Sequence, residues 1–358
     1  MHEINAPLDN NKNTAIISLA WPFATARAPE KIWSFLKKIG LIKNLNFRIG
    51  HAAMLIAKND ELLYYDLGRY ISPLGYGRVR SKETDPKLAI ETRPIWNKKG
   101  ELENLSSIFQ ELEDKKKATH GDGAIYASLT YGANIEKTLK YLKMLQKEGL
   151  QKYGALKKNK TNCGKVVAKA ILKGLDENSI TYKKLNNPNT YSQTPYFNVL
   201  AASSSGDFVI WENGSEKWEK AVISDALSDL FRKGLESFYT KKAKFLPPDS
   251  IVGQLEKPNT IPQNIKEDFF FIGGIGEGAW HELILISEKE VRLNRYYYDG
   301  TFEFTNNYVI NSTWANYLRT NSAELVHGTN NLWITLMNKE TKNKLRFFAV
   351  NCAEEWKM

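Results

Sequence analysis

The chain alternates short apolar runs with polar connections, and their spacing predicts most of its elements. Thr14 to Leu19 reads as a strand and Pro29 to Lys38 as a short helix, with Pro29 near its start, where a missing N–H costs little. Gly50 to Ile56 and Leu62 to Asp66 are strand-like runs separated by the polar turn Lys58-Asn59-Asp60-Glu61, which predicts a hairpin. Gly68 to Arg80, rich in Gly, Tyr and Arg, reads as an exposed loop. Leu105 to Lys117 is helical. Asn134 to Glu148 is a clearer helix, capped by Asn134, striped by Ile135, Leu139, Leu142 and Leu145, and stopped by Gly149. A further helix starts at Thr161-Asn162-Cys163, because Val166, Val167, Ala170 and Ile171 recur at helical spacing.

Lys183 to Pro195, rich in Asn, Pro and Ser, reads as a connection; Phe208 to Trp211 is strand-like and Ile223 to Phe238 helical. Pro247 and Pro248 mark the expected domain boundary. Beyond them lie period-two runs, Glu282 to Ile286, Val291 to Tyr298, Leu332 to Met337 and Leu345 to Val350, with turn signals at Asp299-Gly300 and His327-Gly328. The expectation is an α+β protein, with a domain of antiparallel sheet and helices over 1–244 and a β-rich domain over 245–358. No internal repeat is evident.

Charge sharpens that division. Residues 1–244 hold 39 Lys+Arg against 26 Asp+Glu, and residues 245–358 hold 11 against 14. The first half is basic by 13 charges and the second acidic by 3. The lysines of the basic half, such as Lys137, Lys140, Lys143 and Lys147, sit three or four apart, as on a solvated helix face, with no Arg-aromatic module beside them. Nucleic acid is therefore not the expected partner. No apolar run reaches the roughly 18–20 residues that a membrane-spanning helix needs. Ala15 to Ala24 is apolar, but Glu3 and Asp9 precede it and Pro22 interrupts it, so it reads as a buried first strand rather than an export signal. The sequence points to the cytoplasm, or to export by a non-classical route.

Two cysteines, Cys163 and Cys352, and five scattered histidines offer neither a zinc-binding spacing nor a redox dithiol. No metal or cofactor is expected. One constellation carries chemistry: His51 opening a strand, Asp66 ending the next, and Cys163 starting a helix. A thiol at a helix N-terminus lies in the positive end of the macrodipole, which favours the nucleophilic thiolate. A histidine on a facing strand can take the thiol proton and return it to a leaving group. Asp66, on the paired strand, would fix the imidazole tautomer, and the Cys163 N–H would donate to an oxyanion. His120, in Thr119-His120-Gly121-Asp122-Gly123, is the other candidate for the third position, or else a residue of the cleft wall. Arg69, Tyr70, Arg78 and His120 are the candidate substrate-binding residues, with Arg80 and Tyr76 beside them. Gly274-Ile275-Gly276-Glu277-Gly278-Ala279 superficially matches a dinucleotide fingerprint, but a strand pattern follows where that motif requires a helix. Cys352 has no nearby base and receives no role.

Arg48-Ile49-Gly50-His51-Ala52-Ala53-Met54-Leu55-Ile56, followed far downstream by Thr161-Asn162-Cys163-Gly164, resembles the circularly permuted papain-like hydrolases. These include the NlpC-type cell-wall peptidases and the lecithin:retinol acyltransferase-like enzymes. Gly68 to Arg80 also resembles a bacterial family sharing that core. The resemblance covers about residues 14–180 and implies Cys163 as nucleophile, His51 as base and Asp66 as orienting residue. Asn162-Cys163 is followed by Gly164-Lys165 rather than Glu-His, which weighs against lipid acyl transfer more than against hydrolysis. The function it implies is a thiol-dependent amidase or peptidase forming an acyl-enzyme, with cell-wall peptides as the family's common target. The alternative is an inactive papain-like fold that binds a protein, the C-terminal domain being the surface for such a partner.

Overall fold

The computed structural model describes residues 13–27, 31–154, 159–189, 192–238, 240–246, 256–274 and 277–357, and the counts that follow are of these residues. Pro29, Pro247, Pro248, Ile275 and Gly276, which the sequence reading singled out, lie outside them. In chain order the elements are β1 (Thr14–Trp21), β2 (Ala26–Arg27), α1 (Lys31–Lys38), β3 (Asn46–Phe47), β4 (His51–Lys58), β5 (Glu61–Gly68) and β6 (Tyr76–Arg80). Next come α2 (Leu105–Asp114), α3 (Lys116–Thr119), β7 (Ile125–Thr130), α4 (Ile135–Glu148), β8 (Leu150–Lys152), α5 (Cys163–Gly174), α6 (Ile180–Asn186) and α7 (Pro195–Ala202). They are followed by β9 (Asp207–Glu212), β10 (Ser215–Lys220), α8 (Ser224–Glu236) and α9 (Thr240–Ala243). The C-terminal part holds β11 (Phe270–Gly273), β12 (Gly278–Ser287), β13 (Glu290–Tyr297), β14 (Phe302–Val309), α10 (Ser312–Arg319), β15 (Ala323–Leu325), β16 (Trp333–Asn338) and β17 (Lys344–Phe348).

Eight strands form one antiparallel sheet in the order β10-β9-β7-β1-β4-β5-β6-β8. β1 is buried along its whole length because both faces of the sheet are covered. Ile16 and Ala20, with Ala52, Met54 and Ile56 of β4, pack under α4, α5 and α7. Ile17, Leu19 and Trp21, with Ala53, Leu55 and Tyr64, pack under α2. A strand covered on both faces reads as a continuous apolar run, which is why this segment mimics an export signal. The helices end where their capping residues stand. Asn134 accepts the Lys137 N–H at 3.0 Å and Gly149, at φ +81°, stops α4. Asn162 accepts the Lys165 N–H at 2.8 Å and starts α5 on Cys163. α7 escaped the sequence reading because its apolar residues surround the whole helix and leave no stripe.

The C-terminal strands form a four-stranded sheet, β11-β12-β13-β14, and a three-stranded sheet, β15-β16-β17. They close on Val291, Leu293, Tyr308, Trp333 and Ile334, and the same core takes in Tyr70 and Ile71 from the segment after β5. The fold is α+β. The glycine-rich stretch before Ala279 joins two antiparallel strands, β11 and β12, with no helix after it.

The segment expected as an exposed loop, Gly68 to Arg80, is instead largely buried apart from the turn around Leu74, and its end is β6. The reason is ionic. Arg78 donates to both carboxylate oxygens of Asp85 at 2.6 Å. Arg295 of β13 reaches the same Asp85 at 2.8 Å and Glu303 at 2.7 Å, and the Tyr70 hydroxyl donates to Glu303 at 2.9 Å. Two guanidinium groups and two carboxylates thus neutralise one another between the eight-stranded sheet and the C-terminal part, each fork matched to planar acceptors. Removing one member leaves its partners charged and buried. Arg295→Met is expected to lower the unfolding free energy by about 3–5 kcal/mol, read by chemical denaturation. An unchanged midpoint would show that the network carries no such dependence.

Candidate active site

The two-residue period of the strands builds the site. Ala53 of β4 stands opposite Asp66 of β5, and Asp66 stands opposite Arg80 of β6. His51 is therefore diagonal to Asp66 on one sheet face, and Tyr64 lies two residues back on that face. Asp66 accepts from His51 Nε2 at 3.0 Å and from the Tyr64 hydroxyl at 3.0 Å, both at Oδ2. Arg80 clamps it from the other side, Nε to Oδ1 at 2.8 Å and Nη2 to Oδ2, and also donates to the Ala118 carbonyl at 3.0 Å. The Asp66 side chain is 0% exposed. Burial opposes its ionisation, but the Arg80 guanidinium and the His51 ring outweigh that and hold it well below the usual carboxylate range. Gly68 makes room for the clamp, since a Cβ there would lie 2.3 Å from Arg80 Nε. Trp21 lies against the His51 ring, with centroids 5.7 Å apart and planes 23° apart. Gly121 in turn lies against Trp21, where a Cβ would come within 2.2 Å of the indole.

Cys163 arrives from the far side, as the first residue of α5 and only 6% exposed. It lines the same cleft as His51, and the two side chains act on one another electrostatically. With Nε2 given to Asp66, Nδ1 is the nitrogen left for sulfur. Burial by itself would raise the thiol pKa. The interaction with His51, the imidazole charge and the backbone at Ala52 and Gly164 reverse that and lower it. Burial likewise disfavours the imidazolium, yet Asp66 and Cys163 overcome it and push His51 up to about 9. The two groups titrate as a coupled pair, in which the imidazolium is favoured and the thiol is eased toward the thiolate. Gly164 follows the thiol for a steric reason: a Cβ there would sit 2.4 Å from the Gln193 carbonyl oxygen.

The pair opens on a cleft of about 230 Å³, whose lining includes Arg69, His120, Tyr153 and Glu277. The Arg69 guanidinium lies over the Tyr153 ring at 5.2 Å. His120, in the left-handed region at φ 56°, places Nδ1 3.2 Å from Glu277 Oε2. That is ion-pair distance, but burial favours the neutral form of each group. Burial, then the nearby Arg80, drops His120 to about 3, and burial lifts Glu277 to about 7. Each group is thus pushed toward its neutral form, although both side chains keep more than a quarter of their surface exposed.

Of the residues singled out from sequence, His51, Asp66 and Cys163 come together, and Arg69 and His120 line the cleft. Tyr70 and Arg78 do not. Their polar groups are spent on Glu303 and Asp85 in the buried network, away from the cleft lining. Asp66, not His120, holds the second nitrogen of His51. Arg80, placed beside the candidate substrate-binding residues from sequence, is instead the clamp on Asp66. Glu277 was missed because it enters the cleft only through the packing of β12 against the other half, which no local pattern encodes. Among the described residues no cluster of three or more His, Cys, Asp or Glu is placed to hold a metal ion, and no helix is long and apolar enough to cross a membrane.

Residues 16–180, which contain His51, Asp66 and Cys163, match the model of a family described as type VI secretion system effector TseH-like. The crystal structure of the type VI secretion system effector TseH is similar over 58% of this chain and 99% of that one, at 13% identity and a TM-score of 0.37. No curated protein matches the chain.

The geometry sets the reactivity of the thiol. Alkylation of Cys163 by iodoacetamide is expected to follow a midpoint below the ordinary value of about 8.5. In His51→Ala that midpoint should rise by about one pH unit or more, with Cys163→Ala as the blank. An ordinary midpoint that His51→Ala leaves in place would contradict the pair.

Proposed function

We propose that the chain is a thiol-dependent hydrolase of peptides or other amides, delivered as a type VI secretion effector. The observation that supports it is the His51 ring, held by Asp66 at Nε2 and sharing one cleft with the Cys163 thiol. The delivery rests on the family match over residues 16–180. The β-rich half, whose Glu277 forms part of the cleft wall, is read as part of the working enzyme and as the surface for any protein partner.

In this scheme the Cys163 thiolate attacks the amide carbonyl carbon and the C–O π pair moves to oxygen. The Cys163 N–H, at the N-terminus of α5, faces that developing charge. The His51 imidazolium gives its proton to the leaving nitrogen as the C–N bond breaks, which leaves a thioester and a neutral imidazole. His51 then takes a proton from water, hydroxide adds to the thioester, and collapse expels the thiolate and restores the imidazolium. Every proton and electron pair is handled by Cys163, His51 and water. Asp66 keeps the ring oriented throughout and is itself kept ionised by Arg80. Cell-wall peptides are the substrate class proposed, on the resemblance of the His51 and Cys163 motifs to NlpC-type peptidases.

Cys163→Ala and His51→Ala are each expected to lower the release of new amino groups from purified cell-wall peptides by about 10³-fold or more, with little change in thermal midpoint. Asp66→Asn should lower both, because it also leaves the Arg80 guanidinium buried without its carboxylate. Turnover that survives Cys163→Ala would exclude the thiol as nucleophile. In the wild type, kcat/KM should rise as the ion pair forms and fall again near about pH 9. The sign follows from the raised His51 value, since the protonated ring that the leaving group needs persists up to that pH and is lost above it. A profile that keeps rising through pH 9 would contradict the proton-donor role.

A further inference from the structure

The outward face of the four-stranded C-terminal sheet carries a groove of about 560 Å³, within the range of ligand sites. Its side chains come in cross-strand pairs. Arg292 stands opposite Asn307, Asn294 opposite Thr305, and Tyr296 opposite Phe302. They point away from the core, which takes the intervening Val291, Leu293, Phe304 and Tyr308. Asn306 and Asn351 complete the polar wall. Asparagine is disfavoured within strands, yet Asn294 and Asn307 occupy strand interiors here. A local preference broken on an outward face, where no packing demands it, marks a position kept for another purpose.

The amides are held in fixed orientations. Asn294 Nδ2 donates to Glu282 at 2.8 Å, which turns its Oδ1 outward. Arg292 Nε donates to Asn307 Oδ1 at 3.0 Å, and Asn307 Nδ2 donates to Glu290 at 2.7 Å. Asn306 Nδ2 donates to the Asn331 carbonyl at 2.9 Å. The groove is then lined by side chains that carry neutral donors and acceptors, Asn294, Thr305, Tyr296 and Asn351, together with the Arg292 guanidinium. At one end Phe302 is 48% exposed, with Tyr296 edge-on to it at 5.6 Å and Phe269 stacked behind Tyr296 at 5.7 Å.

Neutral donors and acceptors in a row, closed by a flat apolar ring, match the hydroxyl edges and C–H faces of a sugar. Other ligand classes fit less well. A polyanion would meet one guanidinium backed by Glu282 and Glu290. An extended peptide adds to a sheet edge, whereas this groove lies across a sheet face. A lipid chain would meet amides along most of its length. We propose that this groove is a carbohydrate-binding site that takes a neutral oligosaccharide, with a sugar ring on Phe302 and hydroxyls bonded to Asn294, Thr305 and Arg292. It is separate from Cys163 and does not depend on the hydrolase reading.

Calorimetric titration of the full chain with tetrasaccharides of β-1,4-linked N-acetylglucosamine, β-1,4-linked glucose and α-1,4-linked glucose tests it. At least one is expected to bind with a Kd of about 1 mM or tighter. Asn294→Ala and Phe302→Ala should each weaken that binding about ten-fold or more, while Val309→Ala, exposed on the same strand outside the groove, should leave it intact. Both variants change outward-facing side chains, and unchanged thermal midpoints would confirm their folding. No binding of any of the three sugars would overturn the site, as would an affinity that survives both variants.

Discussion

The buried carboxylate of Asp66 is the constraint on which the candidate site depends. An isolated carboxylate so far from water would take up a proton, and a neutral acid would neither hold the His51 tautomer nor favour the imidazolium. Arg80 prevents this by meeting both oxygens. The result is a line of mutually supporting groups, in which the Arg80 guanidinium keeps Asp66 ionised, Asp66 favours the His51 imidazolium and His51 eases the Cys163 thiol toward the thiolate. The line is neutral as a whole, so it can lie in a sheet interior at tolerable cost. Its geometry follows from strand register alone, because β4, β5 and β6 place His51, Asp66 and Arg80 on one face.

The same device recurs where the halves meet. Asp85 is shared by Arg78 of β6 and Arg295 of β13, and Glu303 by Arg295 and Tyr70. Burying charge in this way contributes little net stability, but it fixes one arrangement, because any slip strands a charge in a dry seam. Arg78 and Arg80 belong to one strand. The seam and the catalytic clamp are therefore two neighbouring positions of β6, one turned to the C-terminal part and the other to Asp66.

Much of this was legible beforehand and some could not be. The β4–β5 hairpin, the Asn162 cap and the thiol at its helix start are local patterns, and the structure has them where the residues predict them. β6 was hidden because Arg78 and Arg80 mimic a solvated loop until their buried carboxylates are known. Those partners come from Asp66 and Asp85, and for Arg78 the covering layer comes from residues more than two hundred positions away. β7 and α7 were missed for a different reason: both are enclosed by other elements, and enclosure erases the polar alternation that announces a strand or a helix.

Glu277 shows what the docking of the halves adds to the cleft. Asp66 is paired with Arg80, and beyond them the described lining of the cleft holds Arg69 and Glu277. Glu277 belongs to the C-terminal half, and its burial moves its ionisation to about pH 7. The electrostatic character of the entrance is thus set by a residue outside the element set that builds the nucleophile. The eight-stranded sheet and its helices without the β-rich half would keep Cys163, His51 and Asp66 in register. They would lose Glu277, the carboxylate that the described residues place on the cleft wall. The second half is in this sense a wall of the site as well as the carrier of a separate groove.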